Sequence, residues 1–142
     1  MPFQVVVLLA FAGLFPLPAQ AQPAGVEQLL GEWTGSYVCG QGETGLTLSF
    51  ERGSGTSLHG IFAFFPVDGN PSVPIGSFNF KASLGADGRS VSAKAGNWIS
   101  QPANYVTVDF SGQLSPDGAR ISGEILDTAC SVFEVRRAAK RK

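Results

Sequence analysis

The sequence predicts an all-β protein: an eight-stranded antiparallel up-and-down β-barrel closed by a disulfide between its first and last strands. Three observations carry this expectation. Short apolar or alternating runs recur between turn signals, and no long stretch keeps helical spacing. The links between runs are too short to hold crossover helices, so neighbouring strands run antiparallel. The two cysteines, Cys39 and Cys130, fall at the end of the first run and directly ahead of the last. A two-sheet β-sandwich is the alternative should the last run pair elsewhere.

The chain opens on "MPFQVVVLLAFAGLFPLPAQAQ". An apolar segment from Val5 to Phe15, two prolines and then "AQA" at 19–21 read as a secretory signal peptide ending at Ala21. The segment is shorter than the ~20 residues of a membrane span. Residues 22–142 then form one domain, placed in a secreted or periplasmic, oxidising compartment where two cysteines pair. "PAGVEQLLGEW" (23–33) allows one short helical turn, with Val26, Leu29 and Leu30 on one side.

The eight strand runs are Trp33–Cys39, Leu46–Glu51, Leu58–Phe65, Ile75–Ser83, Ser90–Ile99, Tyr105–Leu114, Arg120–Leu126 and Ser131–Arg137. "GADG" (85–88) and "SPDG" (115–118) carry Asp-Gly, which suits tight hairpins because both residues tolerate positive φ. "GQGETG" (40–45) and "RGSG" (52–55) are of hairpin length. With an even number of strands, the first and last run in opposite directions, and pairing them leaves no open edge. The end of strand one then meets the start of strand eight, where Cys39 and Cys130 stand.

Extending the Cys39–Cys130 pairing along the two strands puts Trp33 opposite Arg136. It also puts Glu134 on the Trp33 face, with Phe133 and Val135 on the other. A slip of one residue reverses the faces and makes Arg137 the partner. On "GEW" (31–33) and this arginine, the layout resembles the calycin barrels, the lipocalin and avidin-like proteins. In lipocalins a Gly-x-Trp opens the first strand, and an Arg or Lys from the last strand packs over the Trp. The resemblance implies a structural role for Trp33 and Arg136, and a small-ligand carrier as one function. It covers layout and about three motif residues, and no ligand-binding residue is carried over.

The chemistry-bearing residues are sparse. The formal charge of −1 gives no reason to expect a nucleic-acid partner. Five of the ten Lys and Arg residues lie in the C-terminal tail "RRAAKRK" (136–142), a solvated end or a contact for an anionic surface. The single histidine, His59, sits in an apolar run without a Ser or acidic partner at motif spacing. Asp68, Asp87 and Asp117 each precede Gly and read as turn formers. Asp109 and Glu124 lie in strands and could in principle face one another as a carboxylate pair, though the sequence does not place them on one face. No metal site, cofactor or enzymatic activity is expected.

Binding is better supported than catalysis. "FAFFPVDGNPSVPIGSF" (62–78) sets Phe62, Phe64 and Phe65 beside three prolines, and "WISQPANY" (98–105) brings Trp98 and Tyr105. In an up-and-down barrel both loops share one rim with the disulfide. Phe64, Phe65, Trp98 and Tyr105 are therefore the candidate binding residues, the alternative being that these aromatics plug and cap the barrel. The expected function is a non-enzymatic module that binds a protein or an envelope component through these loops. The alternative is a carrier of a small apolar or mixed ligand. No transmembrane segment is expected in the mature chain.

Overall fold

The computed structural model describes residues 10, 12–15 and 25–138. The signal-peptide segment falls mostly outside the described residues, as do positions 139–142 of the basic tail. The chain forms a closed barrel in which each strand pairs with its sequence neighbours and the last with the first. The strands are β1 (Gly31–Cys39), β2 (Gly42–Arg52), β3 (Ser57–Phe65), β4 (Gly76–Leu84), β5 (Ser90–Ser100), β6 (Phe110–Leu114), β7 (Arg120–Ile125) and β8 (Val132–Arg137). All ladders are antiparallel. The sandwich alternative is excluded, because β8 pairs with both β7 and β1.

Alternation makes these strands and fills the barrel. Leu46, Leu48 and Phe50 point inward from β2, as do Leu58, Phe62 and Phe64 from β3 and Phe78, Phe80, Ala82 and Leu84 from β4. Aromatic rings then run in contact along the interior. Phe50 meets Phe80, Phe80 meets Phe110, and Phe110 meets Phe62 and Phe133, with centroids 5.2–6.0 Å apart. Phe62 stacks on Phe78 at 4.7 Å. The lower barrel is thus filled by its own side chains, as small eight-stranded barrels often are.

One end is sealed by the N-terminal segment. The expected helical turn is a 3-10 turn at Val26–Gln28, and it sinks Val26 and Leu29 into the barrel. Trp33 is fully buried and donates its indole N–H to the Leu29 carbonyl at 2.9 Å. Above the indole lies Arg137, not Arg136, with its guanidinium carbon 4.5 Å from the ring centroid. Arg137 also donates to the carbonyls of Leu30 and Gln28.

The Arg136 expectation is corrected by the register. Trp33 pairs with Arg137, and Tyr37 with Phe133. Cys130 belongs to a turn rather than to the strand: its N–H donates to Asp127 O, and the next residue, Ser131, donates to Val38 O. A register read from the cysteines is therefore off by one. The packing reason is that Phe133 and Val135 must face the core, which turns Glu134 and Arg136 outward. There Arg136 pairs with Glu134 at 3.4 Å. The clasp itself forms as expected, with Cys39 bonded to Cys130 and their Cα atoms 3.8 Å apart.

Strand six is shorter than its alternating pattern. The alternation predicts strand from Tyr105 onward, yet β6 begins at Phe110, and the β5–β6 ladder covers only Ser90–Ala93 against Phe110–Gln113. Beyond it Asp109 substitutes for the ladder: its Oδ1 accepts the Ala95 N–H at 2.8 Å. On the other side of β5 a bulge lets Asn79 Oδ1 take the Asn97 N–H at 2.8 Å. This bulge changes the phase of β5, so that Ala95 and Trp98 both turn toward the core.

Candidate functional site

The disulfide end of the barrel is built from the links 40–41, 66–75, 101–109 and 126–131. Link 66–75 is held down by one side chain. Asn70 Nδ2 donates to the carbonyls of Gln41 and Glu43 at 2.6 and 3.0 Å, and Val73 is buried beneath the loop. Asn104 adopts positive φ (66°) and turns the chain back so that Tyr105 faces inward. The Tyr105 ring stacks on Phe64 with centroids 5.3 Å apart and planes 11° from parallel.

These loops enclose a cavity of about 270 Å³. Its walls are Tyr37, Phe62, Phe64, Phe78, Tyr105 and Val108, with the disulfide along one side. At its lip stand Gln41, Asn104, Val106 and Asp127. The filled barrel forms the floor. A wider depression on the outer wall, running past Leu126, Thr128 and Val132, is open to solvent.

Of the four candidate binding residues, Phe64 and Tyr105 line this cavity. Trp98 stands behind it. It packs edge-on against Phe64 and Phe78 at 6.2 and 5.3 Å, so it supports the wall rather than forming it. Phe65 is not brought into the group. It follows Phe64 on a strand, so it faces outward and lies over Gly45, where a side chain would collide with its ring. The cavity residues missed from sequence include Tyr37, Gln41, Phe62, Phe78, Asn104, Val106, Val108 and Asp127. Tyr37 was findable, since it shares the inward phase of β1 with Trp33.

Tyr37 is the buried tyrosine of the cavity wall. Gln41 Nε2 donates to its phenol oxygen at 3.2 Å and to Thr44 Oγ1 at 3.1 Å, and Thr44 Oγ1 donates to Gly42 O. Burial pushes the Tyr37 phenol well above the ordinary tyrosine value of 10.0, and the neighbouring Tyr105 adds to the effect. The folded state therefore holds this proton longer than the unfolded chain does. The resulting stability is complete below about pH 10 and is lost as pH climbs above it. With Tyr105 replaced by Phe, phenolate absorbance from Tyr37 is expected to rise only together with loss of the fold. Ionisation near pH 10 with the circular dichroism intact would contradict the buried placement.

The sites weighed for catalysis do not assemble. His59 is exposed on the outer wall and pairs with Glu51 at 3.1 Å. Glu124 stands opposite Ser111, while Asp109 is engaged with Ala95, so the two strand carboxylates do not form a pair. Asp87 and Asp117 accept N–H groups within their own turns, next to Gly88 and Gly118 at positive φ. Those bonds, led by the Ser90 hydroxyl, hold the Asp87 carboxyl down to about 2. Among the described residues no group of three or more His, Cys, Asp or Glu is placed to hold a metal ion. Nor, among them, is any helix long and apolar enough to cross a membrane.

The two ends of the barrel differ in surface chemistry. From residue 25 to 138 the exposed large aliphatic side chains are Val38, Ile61, Ile75, Ile99, Val106, Leu126 and Val132. All except Ile61 belong to the disulfide end. Compared with protein-family models, curated protein sequences and solved structures, the chain matches none of them.

Proposed function

We propose that the protein is an exported, non-enzymatic binding module that engages a protein or envelope component through the disulfide end of its barrel. The observation that carries this reading is that six of the seven exposed large aliphatic side chains between residues 25 and 138 stand at the disulfide end, one of them, Val106, at the lip of its small apolar cavity. Concentrated exposed apolar surface is costly in a monomer and marks interaction sites. The signal-like N-terminus and the disulfide fit an oxidising compartment.

A small-ligand carrier is the second reading, and the cavity is the one feature that raises it. At about 270 Å³ the cavity falls just short of the ~300 Å³ at which pockets for drug-sized ligands begin. The filled barrel beneath leaves little room to extend it. A ligand here would be short and would leave part of itself at the lip.

The test is a surface variant that spares the core. Ile99→Ser combined with Val106→Ser removes two exposed aliphatic groups, so the unfolding free energy should move by no more than about 0.5 kcal/mol. Capture of the partner from envelope or culture extract should fall at least tenfold against wild type. Undiminished capture by a folded variant would place the interaction elsewhere.

A further inference from the structure

Resting on the reading of the disulfide end as the binding end, we infer that its partner presents a basic residue flanked by apolar ones, and that this Lys or Arg side chain enters the cavity between the aromatic walls. Two independent observations lead there.

The first is charge segregation along the barrel axis. Among the described residues, Arg52, Arg89, Arg120, Arg136 and Arg137 stand at the sealed end or toward it, and Lys81 faces Lys94 across mid-wall. No described cation stands at the disulfide end. Acids stand at both ends, and at the disulfide end Glu43, Asp68, Asp109, Glu124 and Asp127 have no ion-pair partner among the described residues. Apolar surface ringed by acids and free of cations repels acidic partners and draws basic ones.

The second is the cavity itself. Five aromatic rings line it, and among the described residues Asp127 is its only charged lining residue. Aromatic faces attract ammonium and guanidinium groups, most strongly when these are partly desolvated. The volume suits one long side chain rather than a whole small molecule. Asp127 is built to stay in place: its Oδ1 accepts the Ala129 N–H at 2.9 Å, and its carbonyl accepts from Cys130. The second carboxylate oxygen is left to meet an incoming cation. The apolar stem of a Lys or Arg would lie along Phe64 and Tyr105, and the flanking residues of its chain on Val106 and Ile99.

The experiment uses the disulfide-bonded, ¹⁵N-labelled protein and a blocked peptide, Gly-Val-Ser-Lys-Ser-Val-Gly. Versions with Glu or Leu replacing Lys are run beside it, with free butylamine as a further arm. The Lys peptide is expected to shift the amide signals of Phe64, Asn104 and Asp127, and to bind at least tenfold more tightly than the Glu peptide. Asp127→Asn keeps the oxygen that caps the turn, and it should weaken the Lys peptide by about fivefold, the scale of one cation contact.

Equal binding of the Leu and Lys peptides would overturn the inference while leaving the disulfide end as a binding surface. Butylamine binding as tightly as the Lys peptide would overturn it in favour of a small organic cation. Peptides that shift no signal at this end would overturn the inference alone, since the proposed function is tested separately by capture with the Ile99→Ser, Val106→Ser variant.

Discussion

Replacing Cys39 and Cys130 together by serine is expected to lower the unfolding free energy by about 2–5 kcal/mol, read as a shift of the urea midpoint. The bridge spans 91 residues, so it removes many unfolded conformations. It also sits at a short seam, the one that closes the barrel. Strands β1 and β8 share only five paired residues, from Trp33–Arg137 to Tyr37–Phe133, whereas β1 and β2 share nine. Without the bond, hydrogen exchange should rise first at Val38, Ser131 and Val132, just beyond the end of that ladder. An unchanged midpoint would mean that the seam holds by packing alone.

Trp33→Ala should cost about 3–5 kcal/mol, as for other large-to-small changes in a close-packed core. The indole is wholly buried, is hydrogen-bonded to Leu29 and lies under Arg137, so no solvent can refill its place. The neighbouring arginines then separate the two registers. Arg137→Ala removes a cation–π contact and two hydrogen bonds to the N-terminal segment, and it should be measurably destabilising. Arg136→Ala removes only an exposed pair with Glu134 and should be near neutral. The opposite ranking would restore the register read from the cysteines.

Strand order, direction, the two Asp-Gly hairpins and the clasp were legible in the sequence because each depends on local chemistry. Alternation marks strands, Asp-Gly marks tight turns, and an even meander brings its two ends together. The details of the rim were not legible. The phase change between Ala95 and Trp98 is made by Asn79 and Asn97 reaching across strands, and nothing in "KAGNWIS" announces it. The loss of strand at 105–109 has a similar cause: the Asp109 carboxylate takes a backbone N–H that the ladder would otherwise pair. Phe64 and Phe65 looked equivalent as neighbours in one aromatic cluster, yet successive strand residues face opposite ways, and only Phe64 reaches the cavity. Asp127 was invisible as a site residue because its place at the lip depends on how the turn before Cys130 folds against the 101–109 link.

The central claim is that the disulfide end is the working face, and site-specific photocrosslinking tests it most directly. A benzophenone side chain is placed at Ile99 or Val106 on that end, or at Ser54 or Ala119 on the sealed end, each an exposed position. Every variant is irradiated in envelope extract or culture medium from the producing cells. The account predicts a discrete crosslinked species of higher mass from Ile99 and Val106 and none from Ser54 and Ala119. The same species appearing from the sealed end alone would contradict it.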